Sequence, residues 1–169
     1  MPILGAHMSI AGGYHKAVDA AADLGMDTVQ LFTKNNNQWK AKPIASEEAA
    51  EFQKSIKTHS LSHPLSHSSY LINLASADDL LWQKSIDAFV EELSRATLLG
   101  IPFVVVHPGS HTTITEAEGL ERVVDALDEV HRHLADWIAG NETHGEGRAR
   151  HKQAKRARSG EQPSSLDQG

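Results

Sequence analysis

A chain of 169 residues has room for one domain with a real core, and without cysteine it cannot use disulfides or thiolate metal sites, which leaves His, Asp and Glu to hold any metal. A formal charge of −6 argues against broad nucleic-acid affinity through clustered Lys and Arg, although divalent metals could supply local positive charge, and eleven histidines favour a metal site. No stretch reaches the roughly 18 apolar residues of a membrane span, and Met1–His7 reads as a strand and not as a secretory leader, so a cytoplasmic protein is expected.

In chain order, Ile3–His7 predicts a short buried strand. Gly12-Gly13 loosens the backbone before a helix with an apolar face of Ala17, Val18, Ala21 and Leu24, stopped near Gly25. Thr28–Phe32 is the second strand, and the Asn-rich Thr33–Pro43 is a long loop. Ser46 followed by Glu47 and Glu48 predicts a capped helix that buries Phe52 and Ile56. The third strand is expected over Leu61–Ser66, ending at His67. A long helix over Ala77–Leu99 repeats Trp82, Ile86, Phe89, Leu93 and Ala96 at helical spacing and stops at Gly100. Ile101–Val106 is apolar throughout, as a parallel strand covered on both faces should be. A fourth helix over Thr115–Ile138 carries the stripe Leu120, Val123, Leu127, Val130, Leu134 and Trp137.

Four strand–helix units in succession predict an α/β fold with a parallel sheet and right-handed crossovers. A closed (β/α)8 barrel takes about 250 residues, so about four of the eight units of a TIM-type barrel are present. A small open doubly wound sheet is the alternative, although that fold usually carries a fifth strand. Residues 1–140 form this half-barrel. From 141 to 169 the aliphatic pattern stops, and Arg148, Arg150, Lys152, Lys155, Arg156 and Arg158 form a basic run. A disordered tail is expected there, and the abrupt change is what a shift of reading frame near Asn141 would produce.

The candidate site residues lie where strands end. His67 and His107 each close a buried strand, so their imidazoles can converge on one ion, and zinc suits such ligands. Two histidines that merely cap loops would show the same spacing. His111, four residues after His107, could steady that loop by hydrogen bonding. His7 ends the first strand on the same face. Tyr70 could stack on a sugar or base. The loop Lys34–Lys40, with Asn35, Asn37 and Trp39, offers amides, cations and an indole suited to a phosphate backbone or groove edge.

These runs taken together resemble the endonuclease IV family of apurinic/apyrimidinic endonucleases. The matching segments are Gly5-Ala6-His7-Met8-Ser9 with Ala11-Gly12-Gly13, then Leu31-Phe32-Thr33-Lys34-Asn35 with Gln38-Trp39. They continue with His67 and Ser69-Tyr70-Leu71-Ile72-Asn73-Leu74, and with His107-Pro108-Gly109-Ser110-His111. The resemblance implies a (β/α)8 barrel with three zinc ions at its mouth, His67 and His107 among their ligands. It implies hydrolysis of the phosphodiester 5′ to an abasic site in duplex DNA, leaving a 3′-hydroxyl and a 5′-deoxyribose phosphate. Tyr70, the Asn35–Trp39 loop and His7 would meet the DNA. Asn37 stands where some members carry an arginine, and the family's later glutamate, aspartate and histidine ligands have no counterpart, Glu142 included. The alternative is an inactive half-barrel or assembly partner that self-associates through open sheet edges. A metal-dependent sugar isomerase on a similar barrel lacks support from the DNA-facing loop.

Overall fold

Alternation in the second strand sets the frame of the structure. Thr28–Phe32 (β2) places Val29 and Leu31 on one face and Thr28, Gln30 and Phe32 on the other. Val29 and Leu31 are fully buried, whereas the other three are only partly covered. The computed structural model describes residues 2–135. Among them the order is β1 (Gly5–His7), α1 (Tyr14–Asp23), β2, α2 (Ser46–Thr58), β3 (Leu65–His67), α3 (Asp79–Leu99) and β4 (Phe103–Val105). Helical residues 116–135 follow as α4. The strands form one parallel sheet in the order β1-β2-β3-β4. That is the succession of a barrel wall and not the reversed order of a doubly wound sheet.

Register carries the β2 alternation across the sheet. His7 pairs with Gln30, Phe32 with His67, and His67 with Val105, so these residues share one face. The opposite face packs Val29 and Leu31 against Ala17, Val18 and Ala21 of α1, Phe52 of α2 and Ala96 and Leu99 of α3. This helix-facing layer is the core of the unit Met1–His131; in the second unit, Arg132–Gly169, the described residues 132–135 are helical. Gly100 ends α3 at φ 73°, a conformation natural to glycine, and its N–H closes on the Thr97 carbonyl.

Several boundaries differ from the sequence reading. β1 starts at Gly5 and not Ile3. β3 starts at Leu65 because Ser60 and His63 adopt positive φ, which a strand does not admit, and residues 61–64 are irregular. β4 starts after Pro102, which has no N–H to donate to a ladder. Ser46 is the first helical residue and Ala45 the cap, where the Glu48 carboxylate accepts from the Ala45 N–H at 3.0 Å. α3 begins at Asp79, capped by Asp78 accepting from the Leu81 N–H. Leu24 and Leu120 are exposed, the first at a helix end and the second on the outer side of α4. Covered on both faces is wrong for β4: Phe103 and Val105 are 49% and 37% exposed on the face they share with His67. The residues expected beyond 135, including Trp137, the 140/141 boundary and the basic tail, lie outside the described residues.

Candidate functional site

Parallel strands deliver their C-terminal residues to one rim, and there the chain gathers rings. His67, the last residue of β3, sits at the centre of the group. Its ring centroid is 5.1 Å from His107, 5.3 Å from Tyr70, 5.6 Å from Phe32 and 6.5 Å from His7. His7 in turn lies 4.4 Å from Phe32. Three of the four expected histidines and the expected tyrosine therefore meet in one cluster, joined by Phe32. Nothing in the sequence reading singled out Phe32, although its place at the end of β2 between His7 and His67 follows from register.

The tautomer of His67 is set by its neighbour. Nδ1 donates to the Ser68 carbonyl at 2.8 Å, and a carbonyl can only accept, so the Nε2 lone pair is left to bind a metal or accept a proton. Nδ1 of His7 lies 3.4 Å from the Gln30 Oε1 on the same face. His67 is buried, while Tyr70 is 58% exposed and its ring is open to a ligand.

The loops that follow β3 and β4 are laced together by Asn73. Its Oδ1 accepts from the N–H groups of Ser110 and Ala75, and its Nδ2 donates to the Ser110 carbonyl. The Ala75 N–H donates to the Pro108 carbonyl. Gly109 passes over this amide at φ 99°, and a Cβ there would fall 2.0 Å from the Asn73 Oδ1. The His-Pro-Gly-Ser run thus needs its glycine to bring His107 beside His67. His111 lies apart from the ring cluster, with its side chain against Gly119 of α4.

Beside the rings, His7, Phe32, Asn35 and Asn37 help to line a cleft of about 690 Å³. Asn35 and Asn37 are exposed, and the Asn35 Oδ1 accepts from the Asn37 N–H. Trp39 is partly buried under the ammonium of Lys84, 4.2 Å from its ring centre. Lys34, counted among the loop's cations by sequence, is turned inward. Its ammonium donates to the Gln38 and Trp39 carbonyls and pairs with Glu92 at 3.7 Å. Its side chain is only 3% exposed, so its charge is directed into the protein.

Below the loop lies a charged layer that sequence reasoning missed. Glu92, 1% exposed, accepts from the Thr33 hydroxyl and the Ser69 N–H. Arg95, also buried, donates to the Tyr14 hydroxyl, the Thr33 hydroxyl and the carbonyls of Thr33 and Lys42. Burial pushes the Tyr14 phenol above its usual pKa despite the opposing pull of Arg95. The signal that could have found this layer is helical: residues 92 and 95 follow Phe89 at three-residue steps, on the side of α3 that buries Ala96 and Leu99.

The resemblance implies zinc with His67 and His107 among its ligands. Two imidazoles, His67 and His107, lie with ring centroids 5.1 Å apart, but no group of three metal-ligating side chains comes together among the described residues. They fit half of a tetrahedral site and do not by themselves fit a three-ion cluster.

Comparison with known proteins agrees with the fold. A model of the xylose isomerase-like TIM barrel family matches residues 18–162. The protein named probable endonuclease 4 of Chloroflexus aurantiacus is 48% identical over 141 residues, covering 83% of this chain and 48% of that protein. Its namesake in Thermoplasma volcanium is 40% identical over 144 residues, 85% of this chain and 50% of the relative. The crystal structure of endonuclease IV from Thermus thermophilus superposes with a TM-score of 0.71 at 34% identity, over 79% of this chain and 48% of that one. A D-psicose 3-epimerase from Clostridium cellulolyticum, 16% identical with a TM-score of 0.56, shares the fold. The chain spans about half the length of the curated relatives it matches.

Proposed function

Because the chain belongs to the xylose isomerase-like TIM-barrel family, with relatives named endonuclease 4, we propose that it contributes the N-terminal half of a DNA-repair endonuclease surface. The reaction is hydrolysis of the phosphodiester 5′ to an abasic site in duplex DNA, giving a 3′-hydroxyl and a 5′-deoxyribose phosphate. The observation that carries this reading is the ring cluster: two imidazoles, one with its tautomer fixed, beside an exposed tyrosine and an Asn-lined cleft. A sugar that has lost its base costs little to extrude. The rings of Tyr70 and Phe32, 5.5 Å apart and nearly perpendicular, offer it an apolar wall. Asn35 and Asn37 present amides to the backbone, and His7 faces the same cleft.

His67 and His107 would hold zinc together with ligands from outside the described residues, with His111 steadying the loop of His107. When bound, the metal supplies positive charge to the phosphate and activates water at neutral pH. The chain's own part is to bind and orient: the Ser68 carbonyl aims His67, and Asn73 keeps the His107 loop against it.

The shortage of ligands among the described residues favours a second reading, a half-barrel assembly partner without catalysis that associates through the outer edges of β1 and β4. One experiment separates the two. Zinc per chain is quantified on a purified sample, which is then tested on a duplex carrying one abasic site, with and without chelator. Chelator-sensitive nicking 5′ to the lesion, lost in His67→Ala, is expected under the first reading. Soluble protein with neither zinc nor nicking would leave only the second.

A further inference from the structure

We propose that Glu92 and Arg95, one turn apart on α3, are positioning residues that lock the two ligand-facing loops into a single rigid surface. The inference rests on the DNA-binding reading above and adds to it how the surface is held. Every hydrogen bond described for the Glu92 carboxylate goes to one of these two loops: Thr33 at the start of the Asn loop, and the Ser69 N–H beside Tyr70. Arg95 holds both ends of the Asn loop, through Thr33 and the Lys42 carbonyl 2.7 Å away. Lys34, paired with Glu92, closes the middle onto the Gln38 and Trp39 carbonyls. The two loops also touch directly, as the Ser69 hydroxyl donates to the Asn36 carbonyl at 2.7 Å.

Three buried ions are a costly way to stabilise a fold, since apolar side chains of similar volume often do as well or better. What ions add is direction. Of the hydrogen bonds these three ions make, all but one end on a loop atom; the exception runs from Arg95 to the hydroxyl of Tyr14 on α1, whose ring belongs to the apolar core with Val18 and Leu31. The exposed side chains of Asn35, Asn37 and Tyr70 are the parts left outside the lock. With both loops tied to one helix turn, these groups keep a fixed spacing before any ligand arrives, which lowers the entropy cost of binding.

The test uses the full chain as wild type, Glu92→Gln, Arg95→Lys and, as a destabilised control in the helix-facing core, Val18→Ala. Both loop variants are near-isosteric or charge-conserving, so they keep a folded protein available for measurement. Amide hydrogen exchange in the free protein should quicken together in residues 33–42 and 69–71 for Glu92→Gln, and not for Val18→Ala at an equal loss of Tm. Arg95→Lys should weaken binding to a labelled abasic-site duplex by about tenfold while changing affinity for the intact duplex by less than about twofold. Exchange that quickens in one loop alone would overturn the lock. Unchanged discrimination by Arg95→Lys, with the wild type binding tightly, would overturn its role in recognition while sparing the DNA reading. A wild type that binds neither duplex would overturn that reading, and with it the purpose assigned to the lock, whatever the exchange shows.

Discussion

At the residue scale the site works by removing freedom from polar side chains. His67 cannot choose its tautomer while Nδ1 is held by the Ser68 carbonyl, and Asn73 spends both ends of its amide on Ser110. Tyr14 shows the same restriction in a titratable group. Its hydroxyl donates to the Thr33 carbonyl at 2.7 Å and accepts from Arg95, and burial raises its pKa above 10.0. A group whose proton is held more tightly in the folded state contributes stability below its unfolded pKa and loses it as pH rises through the folded value. The chain should therefore lose stability above about pH 10 more steeply than Tyr14→Phe. In a Tyr70→Phe background the phenolate absorbance of Tyr14, then the sole tyrosine, should rise above pH 10.0. A midpoint at or below that value would contradict the buried hydrogen-bonded phenol.

At the element scale the units are fastened by polar contacts at their margins as well as by the apolar core. α1 and α2 meet through Asp19, which accepts from the Ser55 hydroxyl at 2.8 Å and lies 3.3 Å from His59 Nε2 and from Lys16 Nζ. The Ser55 hydrogen bond is the main reason its carboxyl sits below the usual 3.8. A depressed carboxyl contributes above its unfolded pKa and loses that contribution as pH falls through the folded one. Urea midpoints of wild type and Asp19→Asn should differ by a constant amount near neutrality and converge below pH 3.8. A gap that persists at lower pH would mean that Asp19 acts through packing and not through its charge. α3 serves two functions from one side: Ile86, Phe89, Ala96 and Leu99 make core, while Glu92 and Arg95 reach past the strand ends to the loops.

At the scale of the whole molecule the two faces of the sheet differ in what they cost to disturb. Leu31 is fully buried under the helices, so Leu31→Ala should cost about 2–5 kcal/mol in denaturant unfolding. Phe103, 49% exposed on the face of His67, should cost well under that when changed to Ser, about 1 kcal/mol or less. Equal losses would show that something covers this face in solution. The contrast marks the limit of what could be read from the chain. The amino-acid sequence by itself determined four strand–helix units, because apolar residues recur at strand and helix periods and Gly100 stops a helix where only a left-handed turn fits. It also pointed to His67 and His107 at strand ends: His67 is the last residue of β3, and His107 lies two residues beyond β4, after the apolar run Phe103–Val106. It did not reveal that Lys34, Glu92 and Arg95 are interior, because charge on a helix or loop reads as solvated until the partner is known. Nor did it reveal which face of β4 is open. Coverage is a property of what lies opposite, and only the tertiary structure, by fixing register across β1-β2-β3-β4, decided which side chains meet around His67 and which face outward.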